Sequence, residues 1–198
     1  MPFIHEIRTN ESRIGVWKID GTEREQIAQH SDMLGILAVK HPRTQLQRIA
    51  SRLLLKDMVG EFPRLEKDEF GKPLLPDHDF DISISHTKGY AAVMLGNGHL
   101  GVDVQNYKPN VMTVRNRFLD DVELKMAHDL ETTTLLWAAK EAIYKFNGRS
   151  GLDFKDPITV HYIDSDNIQS SFVYNEKKTE LQLGWRKLEE AVLVWTVQ

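Results

Sequence analysis

The 198-residue chain contains no cysteine. That absence removes disulfides, thiolate zinc sites and cysteine nucleophiles together, and with them a reason to expect an oxidising compartment. Long apolar runs are missing too, since no stretch approaches the ~18 residues of a membrane helix. The opening MPFIHEIR has Glu6 and Arg8 where a secretory leader needs an apolar run, so a cytoplasmic protein with no membrane partner is expected. There is no excess of positive charge: 25 Lys and Arg against 29 Asp and Glu leave a net charge of −4, which argues against nucleic acid as a partner. Walker A, H-E-x-x-H and G-x-S-x-G sequences do not occur. What is present is ordinary for a folded chain, with 41% hydrophobic and 27% charged residues and a length that suits one domain or two small ones.

The order of elements is more informative. A strand is expected over Ile14–Ile19, then helices over Glu23–Val39 and Thr44–Val59, separated at His41-Pro42. Residues 61–79, with Pro63, Gly71, Pro73 and Pro76, read as loop. Strands follow at Asp81–Ser85, Tyr90–Leu95 and Leu100–Gln105, and Asn97-Gly98 predicts a hairpin between the last two. Helices are expected near Val111–Phe118, Asp121–Leu130 and Thr134–Phe146, then strands near Pro157–Tyr162, Ile168–Tyr174, Leu181–Trp185 and Ala191–Val197. Helices followed by strands occur twice, which gives an α+β class with mainly antiparallel strands and two halves, 1–105 and 106–198.

Several side chains invite chemistry. Gly96 to Gly101 fits G-x-G-x-x-G, but a strand follows where a dinucleotide site needs a helix, so the glycines serve a turn. Ser85 and His86 are strand neighbours and point to opposite faces, which weakens a hydrolase reading. Asp103 and Gln105 share the face opposite Leu100, Val102 and Val104 and project into the same space, and on local pattern alone this reads as a solvated strand face. On the last helix Leu136, Ala139, Ile143 and Phe146 form a core stripe. Trp137, Glu141 and Lys145, at steps of four, form a second face. A surface i,i+4 pair is the commoner origin of the Glu141–Lys145 spacing, and Trp137 on the same ridge argues against a fully solvated face. Arg43 in the first turn of a helix opposes the dipole unless an anion is near. Lys72 in Gly71-Lys72-Pro73 reads alone as a surface lysine in a turn.

Taken in order, Arg43-Thr44, Gly71-Lys72-Pro73, Ile84-Ser85-His86-Thr87, Gly101-Val102-Asp103 and Trp137-x-x-Lys140-Glu141-x-x-x-Lys145 resemble the 4′-phosphopantetheinyl transferase family, in its longer pseudo-dimeric type. The resemblance covers about Arg43 to Phe154. It implies two similar α/β halves about a pseudo-twofold axis, packed as one monomeric unit, with coenzyme A between them. It implies transfer of the phosphopantetheine arm of coenzyme A to a serine of an acyl or peptidyl carrier protein, with Mg²⁺ as cofactor. Asp103 and Glu141 are then the metal ligands, with Gln105 a third, directly or through water. Glu141, Lys145 and Asp103 are the catalytic set, and Arg43, Lys72, Pro73, Ser85, His86, Thr87 and Lys145 hold the cosubstrate.

Two departures accompany it. Gln105 stands where the family often has a second acid, and only Lys40 stands near Arg43 where the family places lysines for the 3′-phosphate. Lys108, Arg115, Arg117 and Lys125 are candidates for a basic patch facing an acidic carrier. Two alternatives stand beside this reading: a non-catalytic module of the same fold that binds coenzyme A or a carrier, and an unrelated Mg²⁺ phosphohydrolase.

Overall fold

The computed structural model of the chain describes residues 3–30, 35, 41–149 and 151–197. The alternation of its strands builds three cores. In β2 (Ser12–Lys18) and β6 (Tyr90–Gly96), Ile14, Val16, Ala92 and Met94 turn to one side, while Trp17, Ala91, Val93 and Leu95 turn to the other. With β1 (Phe3–Arg8) and β5 (Asp81–Thr87) they form an antiparallel sheet in the order β1-β2-β6-β5. Helix α2 (Pro42–Val59) covers its outer face through Ile49, Ala50, Leu53 and Leu54. Pro42 at the first helical position and Gly60 in the left-handed conformation set its two ends.

The second sheet is also antiparallel and runs β7-β11-β10-β9-β8, with β7 at Val102–Asn106, β8 at Ile158–Ile163, β9 at Asn167–Tyr174, β10 at Lys177–Lys187 and β11 at Ala191–Val197. Helix α5 (Leu130–Asn147) packs on it through Leu136, Ala139 and Ile143. The inner faces of the two sheets meet, with Val102, Val104, Leu193 and Trp195 against Ile14, Val16 and Met94. The layers therefore run α2, first sheet, second sheet, α5. The smaller elements are α1 (Glu23–Ala28), a two-residue ribbon of β3 (Glu66–Lys67) and β4 (Pro73–Leu74), α3 (Asn110–Val114), a 3₁₀ turn at Arg115–Arg117 and α4 (Asp121–Met126).

The mixed α+β class with antiparallel sheets agrees with the sequence. Several details differ. The expected loop over 61–79 contains the β3–β4 ribbon, and the helix expected over Asp121–Leu130 ends at Met126. Strand β1 was not anticipated. The helix expected over Glu23–Val39 ends at Ala28, and its continuation from Ser31, apart from Gly35, lies outside the described residues, as does Lys40. Helix α5 begins earlier, at Leu130, because Asp129 caps it by accepting from the Thr132 N–H at 2.8 Å. The turn at Asn97-Gly98 does not join paired strands. Gly98 has a positive φ of 82°, but β6 lies in the first sheet and β7 in the second, so the turn carries the chain from one sheet to the other. The reason lies in the edge that β7 turns away from β11. There the Val102 and Val104 N–H groups donate to Ser83 Oγ at 3.1 Å and Ser85 Oγ at 3.2 Å, so serine side chains of β5 satisfy an edge that a hairpin would have paired.

Candidate active site

Asp103 points from β7 toward α5, opposite the inner face taken by Val102 and Val104. Gly101 explains how close that helix comes: a Cβ there would lie 2.0 Å from the Ala142 carbonyl oxygen. Only a residue without a side chain allows β7 to reach the middle of α5. Glu141 and Lys145, one turn apart, flank that contact.

The geometry around Asp103 is asymmetric. Its Oδ1 accepts from Ser85 Oγ at 2.6 Å and from Lys145 Nζ at 2.8 Å. Lys145 also donates to the Val102 carbonyl at 2.9 Å. Oδ2 is buried and has no hydrogen-bond partner. A buried carboxylate oxygen left bare is costly, and such atoms mark places where an ion or water completes the set. Beside it Glu141 is half-buried. Burial, and then the charge of Asp103, push its carboxyl up to about 7, with Lys145 opposing. Two nearby carboxylates that resist joint ionisation are relieved by a cation.

The other anticipated residues separate into two groups. Thr87 is buried, donating to Asn106 Oδ1 at 2.7 Å and more weakly toward Gln105 Oε1 at 3.4 Å. Gln105 is half-buried on the same side of the seam. Lys72 and Pro73 line a cavity of about 200 Å³ together with Ser83, Tyr144 and Lys145, and the Lys72 stem lies against Gly148 at the end of α5. His86 points away from Ser85, as alternation requires, and is exposed. Partial desolvation, and then the cations of Lys145 and Arg48, lower its pKa. Arg43 sits exposed in the first turn of α2 with no acidic residue in that turn. Among the candidate basic patch, Arg115 is tied to the Ala127 carbonyl at 3.1 Å, while Lys108, Arg117 and Lys125 are exposed.

Sequence reasoning missed Arg48 and Arg52. Their i,i+4 like charges on α2 are a destabilising pattern that could have flagged them. Lys140, passed over beside Glu141, is fully buried, pairing with Glu123 Oε2 at 2.7 Å and donating to the carbonyls of Phe154 at 2.7 Å and Ile158 at 2.6 Å. Trp137 lies against the Phe118 and Phe154 rings and floors a groove of about 180 Å³ that runs from Gln105 past Lys108 and Val111. A larger cavity, about 460 Å³ between α4, α5 and the second sheet, is lined by Lys125 of the candidate basic patch but not by Asp103, Glu141 or Lys145.

The residues present fit a magnesium ion. Mg²⁺ prefers one or two carboxylates, several waters and substrate phosphate over an all-protein cage. Among the described residues no cluster of three or more His, Asp or Glu forms such a cage, and Asp103 Oδ2 with Glu141 could supply the smaller set.

Residues 99–195 match the model of the 4′-phosphopantetheinyl transferase superfamily, a span that contains Asp103, Glu141 and Lys145. The 4′-phosphopantetheinyl transferase Sfp of Bacillus subtilis (strain 168) is 29% identical over 93 residues, 43% of this chain and 42% of that protein. A 4′-phosphopantetheinyl transferase of Bacillus subtilis is 28% identical over 88 residues, 41% of this chain and 39% of that protein. The matched segment thus spans less than half the length of either relative. No helix among the described residues is long and apolar enough to cross a membrane.

Proposed function

The chain belongs to the 4′-phosphopantetheinyl transferase superfamily, and from that premise we propose that it transfers the 4′-phosphopantetheine arm of coenzyme A to a serine of an acyl or peptidyl carrier protein. The observation that carries this reading is the bare, buried Oδ2 of Asp103 beside Glu141 and Lys145. In this reading residues 1–105 and 106–198 are two halves of one monomeric, cytoplasmic unit. The repeated arrangement of one long helix on one antiparallel sheet supports the pseudo-twofold relation between them.

The reaction forms a bond from the carrier serine oxygen to the phosphorus that bears the pantetheine arm. The pyrophosphate bridge breaks and adenosine 3′,5′-bisphosphate leaves. Asp103 Oδ2 and Glu141 would hold Mg²⁺, with Gln105 available directly or through water; bound there, the ion neutralises charge on the pyrophosphate. Lys145 places a further cation at the same point and can serve a phosphate oxygen as a point charge. Glu141 also stands where it can accept the serine proton, directly or through water. Ser85 fixes the Asp103 carboxylate, and Thr87 and Asn106 order the strand end beyond it. Lys72, Pro73, His86 and Arg43 would hold the nucleotide end of coenzyme A, and the groove over Trp137, with Lys108 on its wall, would face the carrier.

Intact-mass measurement of an apo acyl carrier protein, with a panel of peptidyl carriers beside it, tests the reading. The expected result is a gain of one phosphopantetheine with coenzyme A and Mg²⁺, lost with EDTA and in Asp103→Ala. Coenzyme A binding without turnover on every carrier would instead favour a non-catalytic module, the reading that Gln105 motivates. Release of nucleotide with no acceptor present would favour a phosphohydrolase.

A further inference from the structure

The cavity of about 460 Å³ between α4, α5 and the second sheet has no part in the functional reading above. Its volume lies within the range of roughly 300–1,000 Å³ of small-molecule sites. Most of its lining is apolar. Leu135 of α5 and Val192 of β11 are its buried members. Three aromatic rings stand with them, Tyr107 directly after β7, Tyr162 in β8 and Trp185 in β10. Tyr162 is a large ring left 54% exposed.

Its walls are pinned. Trp185 Nε1 donates to the Asp164 carbonyl at 3.0 Å, which fixes the indole ring. Glu131, in the first turn of α5, takes Lys187 Nζ of β10 on both carboxylate oxygens, at 2.7 and 2.6 Å. An exposed ion pair adds little stability, but this one ties helix to sheet and fixes where both charges stand.

Two groups keep bonding capacity. The Tyr107 hydroxyl has no hydrogen-bond partner among the described residues. Burial, and then the charge of Glu131, push its pKa up to about 12, so it stays a protonated donor. Lys125 is exposed and has neither a hydrogen bond nor an ion pair among the described residues. With Lys187 matched by Glu131 and His128 counted as neutral, Lys125 leaves the lining one positive charge in excess. Aromatic walls, a hydroxyl donor and one uncompensated cation suit a flat ring that carries one negative charge.

We propose that this cavity is a binding site for an aromatic monocarboxylate, with its rings against Tyr107, Tyr162 and Trp185 and its carboxylate toward Lys125. The site is separate from the one assigned to transfer, and it stands or falls independently of that assignment.

Isothermal titration of the full chain with 2-naphthoate, and with its neutral isostere 2-naphthamide, tests it. One molecule of 2-naphthoate should bind per chain, about ten-fold more tightly than the amide, and excess coenzyme A should not displace it. Lys125→Ala should weaken the acid about five-fold and leave the amide unchanged. Tyr162→Ala should weaken both. Glu131→Gln removes the negative charge from the lining and frees Lys187, so it should tighten the acid about three-fold and leave the amide unchanged. That gain is one that a purely structural role of Glu131 would not produce. Circular dichroism should match the parent for all three variants, since all three side chains are exposed. Absence of binding, equal affinity for acid and amide, displacement by coenzyme A, or parental affinity for the acid in Lys125→Ala or Tyr162→Ala would each overturn the proposal.

Discussion

Helix α5 carries two lysine–carboxylate pairs five residues apart, Lys140 with Glu123 and Lys145 with Asp103, and they are built differently. In the first, both side chains are fully buried and every strong acceptor is in use. Glu123 Oε1 accepts from the Val160 N–H at 2.8 Å, and Oε2 accepts from the Asp120 N–H at 2.9 Å and from Lys140. Burial pushes the Glu123 carboxyl up and the Lys140 ammonium down, and each opposes the shift of the other. In the second, Lys145 is 26% exposed and Asp103 keeps one bare oxygen. A closed network fixes structure; an open one leaves bonding capacity for a ligand. Two pairs on one helix thus divide the work, the first locking α4 and the 154–158 segment to α5, the second facing the seam between the sheets.

The sharpest way to break this comparison is to remove each lysine in turn. Lys140→Met strands Glu123 as an uncompensated buried charge, so a stability loss of about 3–5 kcal/mol is expected. Lys145→Met leaves the buried Asp103 carboxylate its bond from Ser85, and the pair is open to solvent on the Lys145 side, so a smaller loss of about 1–3 kcal/mol is expected. Urea denaturation of both variants measures the contrast, and equal losses would mean that the two pairs do the same job. Gly101→Ala comes next. Its Cβ would overlap the Ala142 carbonyl, midway between the two lysines, and β7 and α5 must part. A loss near the top of the ~1–3 kcal/mol range for overpacking is expected, with carrier modification lost as Asp103 leaves Glu141. A variant of parental stability and activity would show that the close approach is not needed.

Glu141→Gln is expected to act in the opposite direction. The folded carboxyl titrates at about 7, above its ordinary 4.5, so the contribution of this group to stability is fully present below about 4.5 and is lost as pH rises through about 7. Removing the charge should therefore stabilise the metal-free protein at pH 8 by as much as ~3 kcal/mol, and by almost nothing at pH 4. Denaturation midpoints across that range check it. A variant less stable than the parent at pH 8 would show that the Glu141 charge is accommodated in the fold. Stabilisation together with lost transfer is the expected mark of a functional residue held against the interest of the fold.

These contrasts also explain what could be read in the sequence. The shared face of Asp103 and Gln105 and the ridge of Glu141 and Lys145 were legible because each relation lies within one element, alternation along a strand and steps of four along a helix, whereas the meeting of that strand and that helix was implied only by the family resemblance. The bond from Ser85 to Asp103 was not legible, since it joins residues 18 apart on strands of different sheets. Asn97-Gly98 carried a true turn signal, but a turn does not state which strands pair, and the serine-covered edge of β7 decided that. Lys140 was hidden by its neighbour, although its place between Leu136 and Ile143 on the core stripe was visible. Tyr107 and Tyr162 belong to segments far apart in the chain, so no periodicity relates them, and only the fold brings them to one cavity.

The smallest contrast separates two serines with nearly the same duty. Ser83 Oγ and Ser85 Oγ both accept an N–H from the outer edge of β7, from Val102 and Val104. Ser85 alone also donates to Asp103. Ser83→Ala leaves one buried N–H without its partner, a loss of about 1–3 kcal/mol. Ser85→Ala leaves the same deficit and takes a donor from a carboxylate that already has a bare oxygen. It should therefore cost about 1 kcal/mol more than Ser83→Ala and lower the carrier modification rate, which Ser83→Ala should change less. Equal effects of the two variants on both stability and rate would mean that Lys145 alone holds the Asp103 carboxylate, and that β5 contributes only an edge for β7.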